Sequence, residues 1–143
     1  MASPRQFQRN MKQRGRNVED NADQLVRKAA LAIDAVLVLA TPVDTGRARA
    51  NWQVELNRPA EGTTTNVSPS GREALEQGKS TIAGYRGGTP DAAVHITNNL
   101  PYIGKLNEGH SAQAPAGFVE EAVLTGASTV RGAKLLGRTT SDD

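Results

Sequence analysis

A helical segment at residues 18–40, stopped by Pro42, is the feature that most constrains the fold of this chain. After Lys28 its apolar residues no longer form one stripe but lie around the whole helix, so the helix has to be covered on all sides. A sheet can cover one face, and either the domain's own helices or a second subunit can cover the other. Three residues of this apolar surplus are candidates for a subunit interface: Leu31, Val38 and Leu39.

The rest of the chain predicts a small sheet and shorter helices. Residues 52–56 alternate between apolar and polar side chains, as in a half-buried strand, with Trp52 facing inward. The predicted elements are strands at 52–56 and 92–97, helices at 73–85, 100–107 and 115–136, and a loop at 58–70. We therefore expect an α+β fold, in which a small, mostly antiparallel sheet packs against the long N-terminal helix and a C-terminal helix.

Charge divides the 143 residues into an arm, one domain and a tail. Residues 1–16 form a basic arm without acidic residues, residues 17–137 the domain, and residues 138–143 a flexible tail. The arm is expected to be mobile in the free protein and to contact either DNA or an acidic surface of a partner, although a solvated extension is an equal alternative. Its basic residues are Arg5, Arg9, Lys12, Arg14 and Arg16.

Composition excludes several classes of protein. The chain has no cysteine, so disulfides and cysteine metal sites are excluded. The most apolar stretch, residues 29–40, is too short to span a bilayer and contains Asp34, and the N-terminus lacks the apolar run of a secretory signal. A soluble protein made inside the cell, without membrane contact, is expected.

Two motifs carry the most information. In the first, the long helix runs into TPVDTGR at residues 41–47, and Trp52 follows a few positions later. Asp44 or Thr45 is expected to cap a short turn. In the second, NNLPY at residues 98–102 precedes Glu108-Gly109, Ser111 and QAPAGF at residues 113–118.

In order and spacing, these motifs resemble the neck and tail-completion proteins of long-tailed bacteriophages, a virion morphogenesis family that includes the lambda minor tail protein Z. Family members usually carry a branched residue where this chain has Ala48, and an aliphatic one where it has Asn107. The residues that match the family motifs, for which we expect structural roles, are Pro42, Asp44, Gly46, Arg47, Trp52, Asn98, Pro101, Tyr102, Glu108, Gly109, Pro115 and Gly117.

The resemblance implies a virion structural protein, not an enzyme, that is made in the host cytoplasm and needs no cofactor. Copies would form a ring, with six subunits expected, at the neck or the head-proximal end of the tail. That ring would join the portal, adaptor or stopper side to the tail terminator and tail tube, around a channel through which DNA passes without sequence-specific contacts. Glu108 would cap a helix or pair with Arg47 or Arg49.

Two alternatives come from other classes. A small nucleic-acid-binding protein would use the basic arm together with Arg47 and Arg49, but the chain lacks the aromatic and basic interleaving of a single-strand binder. A metal-dependent hydrolase would use Glu108 and His110, but the sequence suggests no third ligand. Trp52 and Tyr102 are expected to pack in the core or between elements and not to stack on a ligand, because aromatics this scarce usually pack in the core.

Overall fold

The computed structural model describes residues 3–109 and 116–131, which form five helices and two strands within these ranges. The elements are α1 (Pro4–Ala40), α2 (Arg47–Ala50), β1 (Gln53–Leu56), α3 (Arg72–Ala83), β2 (Val94–Thr97), α4 (Ile103–Asn107) and α5 (Phe118–Val130). The α+β prediction is confirmed. Pro115, the end predicted for the last helix and the predicted tail at 138–143 lie outside the described residues.

Helix α1 begins at Pro4 and not near residue 18, as we predicted from the sequence. The Ser3 hydroxyl oxygen accepts a hydrogen bond from the Gln6 amide over 3.2 Å, and Pro4 fits the first helical position because its missing donor would have no partner there. The basic arm thus forms the first turns of α1. At the other end, Thr41 has extended backbone angles, as expected for a residue before proline.

The core lies where α1 crosses α5. Leu37 and Val38 of α1 pack in one buried cluster with Phe118 and Ala122 of α5 and with Trp52. The helices run antiparallel, since further along α5 Gly126 lies against Ile33. A Cβ at Gly126 would come within 2.5 Å of the Ile33 Cδ1 atom, so only glycine permits this approach. Gly126 therefore serves helix packing.

The two strands pair antiparallel, with Val54 opposite Ile96 and Leu56 opposite Val94. In the described part of the chain they form the whole sheet. Helix α3 packs against β1 and α1, and its Ile82 is buried. Each strand is shorter than predicted, because β1 pairs only from Gln53 and β2 only from Val94.

The candidate interface residues of α1 separate into two groups. Val38 is 0% exposed and belongs to the core of the single chain, so its prediction as a subunit contact is wrong. Leu39 is 51% exposed, and Leu31 is partly exposed as well. Successive side chains on a helix point about 100° apart, so Val38 faces the core while Leu39 faces outward. The chain's own α3 and α5 therefore cover most, but not all, of the apolar surplus.

Candidate functional site at the junction of the two motifs

The first motif is anchored by a relay of hydrogen bonds from α1 to Trp52. The buried Thr41 hydroxyl donates to the Leu37 carbonyl oxygen over 2.5 Å and accepts from the Trp52 indole N–H over 2.7 Å. Trp52 is buried, as predicted. The relay satisfies the indole donor in the core and fixes the angle between the end of α1 and the start of β1.

Gly46 lies at the tightest point of the turn. Its φ of +88° is a left-handed conformation that favours glycine. A Cβ there would come 2.7 Å from the Pro69 Cα atom, and the Gly46 carbonyl oxygen accepts from the Ser68 amide over 3.0 Å. Gly46 also occupies the N-cap of α2 and offers no side chain. Of the two residues predicted to cap this turn, Asp44 is exposed and does not do so, whereas the Thr45 hydroxyl oxygen accepts from the Arg47 amide over 3.3 Å.

Arg49 fastens the turn to the end of α1. Its Nε donates to the Thr41 carbonyl oxygen over 2.9 Å, and its two terminal nitrogens donate to the carbonyl oxygens of Leu39 and Pro69 over 3.0 Å and 2.9 Å. The cation also offsets the negative end of the α1 dipole. Since its donors meet carbonyl oxygens, Arg49 acts as a structural clamp, whereas Arg47 is exposed.

Asn51 is a structural residue that sequence reasoning missed. Its side chain is fully buried, accepts from the Thr64 amide over 2.9 Å, and donates to the carbonyl oxygens of Thr64 and Arg47 over 3.0 Å and 2.9 Å. These bonds hold the loop that follows β1 against α2. The available signal was a polar residue directly before the inward-facing Trp52, where a buried amide needs backbone partners.

The second motif meets the first through Asn98. Its side-chain amide donates to the Ala48 carbonyl oxygen over 3.0 Å, and its carbonyl oxygen accepts from the Leu100 amide over 3.2 Å. Leu100 is buried, whereas Pro101 is exposed and Tyr102 is 40% exposed. Tyr102 is therefore not a core residue. Pro101 and Tyr102 instead form an outward surface at the start of α4.

Asn107 holds both ends of the segment between α4 and α5. Its backbone carbonyl oxygen accepts from the Gly117 amide over 2.7 Å, and its side-chain oxygen accepts from the Val119 amide over 2.9 Å at the start of α5. Its side-chain nitrogen contacts the Glu120 carboxylate. Sequence reasoning treated Asn107 only as a departure from the family, because a cap supplied twelve positions away leaves no local signal.

Of the remaining motif residues, Glu108, Gly109 and Gly117 flank the segment between α4 and α5. Glu108 and Gly109 are exposed where the chain leaves α4, and both Gly109 and Gly117 have positive φ angles, +91° and +82°. Pro115 and His110 lie outside the described residues. Pro42 is half-buried in the turn after α1.

One buried carboxyl stands apart from both motifs. Asp34 of α1 is 2% exposed and lies against Gly78 of α3, and its Oδ1 has no hydrogen-bond partner among the described residues. Burial raises the pKa of this carboxyl to about 7. In the described ranges, no group of three or more His, Asp or Glu side chains is placed to hold a metal ion.

The first turns of α1 project beyond the body. Residues 3–17 are exposed, including the five basic residues of the arm, and so are the large apolar side chains of Phe7 and Met11. Exposed apolar groups on a helix that its own domain does not cover point to a contact surface. Over residues 3–109 and 116–131, no helix combines the length and hydropathy required to cross a bilayer.

A sequence model of one protein family, described as "Bacteriophage HK97-gp10, putative tail-component", matches residues 5–121. The matched range begins in the projecting part of α1 and contains both motifs and their junction. No curated protein and no solved structure matches this chain.

Proposed function

The chain belongs to the HK97 gp10-like family of bacteriophage tail components, and we propose that it is a ring subunit at the neck or the head-proximal end of the tail. The coarse assignment, a structural tail protein of the virion, follows from the family. The ring, its position and its neighbours are the proposal. In it, six copies surround a channel through which DNA passes, with head-completion proteins on one side and the tail terminator and tube on the other.

The projecting end of α1 is the observation that carries the proposal. Phe7 and Met11 are 60% and 52% exposed on a helix that extends past the body of its own chain. An exposed apolar surface does not stabilise a monomer, whereas a subunit that contacts its neighbours through different patches can bury this surface on assembly. A heterologous contact of this kind closes into a ring when the rotation between copies permits.

The second motif offers a surface for a different neighbour. Asn98 and Leu100 are fixed to the body, so Pro101 and Tyr102 are held rigidly although they are exposed. A rigid exposed aromatic side chain is typical of a binding surface, because it loses little conformational entropy on contact. We assign this surface to an adjacent ring of the neck, on either the head or the tail side.

Deletion of this gene from the phage genome tests the proposal. Electron micrographs of lysates should then show full heads and tails that fail to join, or tails whose ends are incomplete. Wild-type protein supplied in trans should restore infectivity. A reconstruction of the restored particles should place the protein in a ring of six. Infectious particles of normal appearance without the protein would refute the structural role.

Nucleic-acid binding is the second candidate, favoured by the exposed row of basic residues on α1. Such binding would weaken steeply with salt, because each phosphate contact releases counterions. Gel-shift titrations with duplex DNA at low and physiological salt measure it. Tight binding by the free protein would support this function over ring assembly, since a channel wall that binds DNA tightly would oppose DNA movement.

A further inference from the structure

One apolar stripe runs along α1 from the arm into the body. At about 100° per residue, Phe7, Met11 and Val18 fall on the same side of the helix as Ala29 and Ile33. In the body this side packs against α5, where Ile33 meets Gly126. Toward the N-terminus, no described residue covers Phe7 or Met11. The helical arm, residues 4–16, therefore carries the same kind of packing face as the body without a partner for it.

Charge indicates what that partner is. Of the 17 lysines and arginines of the chain, five lie in the first 16 residues, together with none of the 15 acidic residues. The rest of the chain thus has 12 basic and 15 acidic residues and is net negative. Two arms would repel each other, whereas an arm and the body of another copy attract each other.

A groove on the body has matching chemistry. It has a volume of about 280 Å³ and is lined almost entirely by apolar side chains of α1, β2 and α5, among them Leu25, Val26, Ile96 and Val130. A second depression shares Val26 with it and is lined by three acidic residues, which we name the acidic ledge: Glu19, Asp20 and Asp23. Arg86 lines the same depression, and Arg27 lies 4.0 Å from the Asp23 carboxylate and donates two hydrogen bonds to the Tyr85 carbonyl oxygen. Lys28 lines a neighbouring depression.

We propose that the helical arm of one copy docks in the groove of a second copy, with Phe7 and Met11 against its apolar lining and the basic side chains over the acidic ledge. The contact rests on the proposed self-assembly and supplies its geometry. The arm cannot reach the groove of its own chain, because both lie on one continuous helix and 15 residues of rise, about 22 Å, separate Met11 from Val26. Each copy therefore gives one arm and receives another.

Cysteine pairing tests the contact, since the chain has no cysteine of its own. We would oxidise the Met11→Cys/Val26→Cys double variant of the full chain at high protein concentration. A disulfide requires Cα atoms about 4.4–6.8 Å apart, so any bond between these positions joins two copies. The expected product is a ladder of covalent multimers, while a mixture of the two single variants should stop at dimers. The matched control, Gln13→Cys/Val26→Cys, places the thiol on the opposite side of the arm and should give at least tenfold less product.

Charge reversal gives a second readout. Glu19→Lys/Asp20→Lys should reduce cross-linking of the Met11→Cys/Val26→Cys variant severalfold, and adding Arg9→Glu/Lys12→Glu should restore it. Both ledge residues chosen are exposed, so folding is spared. Cross-linking no greater than in the Gln13 control, or dimers of Met11→Cys alone in place of the mixed pair, would overturn the proposal. So would cross-linking that appears only after residues 132–143 are deleted, since that result would assign the groove to the chain's own C-terminus.

The docking contact and the ring can fail separately. If light scattering shows multimers of the wild type, or reconstructed particles contain a ring, while the cysteine pair does not react, the docking contact is wrong and the proposed function stands. If cross-links form but the gene deletion leaves particles intact, the contact is real and the proposed function is wrong.

Discussion

The Asn98 side-chain amide donates to the Ala48 carbonyl oxygen over 3.0 Å and thereby joins two sequence motifs that lie 50 positions apart. Ala48 belongs to α2, which the turn at Gly46 positions, and Asn98 follows β2. The same side chain accepts from the Leu100 amide and so shapes the turn toward Pro101 and Tyr102. One residue thus couples the end of α1 to the surface that we assign to a neighbouring ring.

Replacing Asn98 with alanine should destabilise the fold by about 1–3 kcal/mol, because the Ala48 carbonyl and the Leu100 amide both lose a partner in a half-buried site. Urea unfolding followed by Trp52 fluorescence measures the change. The matched control is Asn99→Ala, whose amide bonds to Ala60 and Gly62 are exposed and should matter less. Equal stabilities for the two variants would show that the link between the motifs contributes nothing special.

Gly46 and Gly62 separate backbone strain from steric clash. Both have positive φ, +88° and +75°, but a Cβ at Gly62 meets no atom within 4 Å among the described residues, whereas one at Gly46 meets Pro69. Gly62→Ala should cost about 1 kcal/mol from the left-handed backbone alone. Gly46→Ala should cost more, by about 1–3 kcal/mol of overpacking, in the same urea titration. A Gly46→Ala variant no less stable than Gly62→Ala would mean that the Pro69 contact relaxes freely.

Arg49→Lys should lower stability by about 1–2 kcal/mol even though the charge is kept, because a single ammonium group cannot satisfy the three carbonyl oxygens that the planar guanidinium reaches. Arg47→Lys, at an exposed position two residues earlier, is the control and should be neutral. Differential scanning calorimetry compares the pair. If both variants melt with the wild type, the clamp at the end of α1 is not a stabilising one.

Asp34→Asn should stabilise the protein at pH 7.5 and above and alter its pH dependence. Burial raises the folded pKa of Asp34 to about 7, from 3.8. Between these values the folded state holds a proton that the unfolded state has lost, so stability declines as pH rises from about 4 to 7 and is then level. At about 1.4 kcal/mol per pH unit, the shift from 3.8 to about 7 makes the cost of the charged form about 4 kcal/mol.

Urea titrations of the wild type and Asp34→Asn from pH 4 to 8 measure this difference. The gap between the two proteins should be smallest near pH 4 and widen until about pH 7. Asp91→Asn, at an exposed carboxyl, is the control and should follow the wild type. A constant gap across the range would show that Asp34 does not titrate with folding.

The sequence by itself determined the class of this protein and most of its elements. The α+β class, the order of helices and strands, and the stop of α1 before Pro42 follow from local periodicity and from the missing donor of proline. The two motifs identified the family through their order and the spacing between them. The start of α1 also has a local signal, the N-cap residue Ser3 followed by Pro4, but the basic charge of the arm led to the prediction of a mobile segment there.

Only the tertiary structure decided which side of each element is covered and what the polar side chains bind. Val38 and Leu39 are neighbours with the same chemistry, yet one is buried and the other open, because α5 and α3 approach α1 from particular directions. Asn51, Asn98 and Asn107 look alike in the sequence, and their roles come from backbone groups brought close by the fold. Hydrogen-bond partners distant in the chain leave no periodic signal, and for that reason the sequence predicted the elements while their packing required the structure.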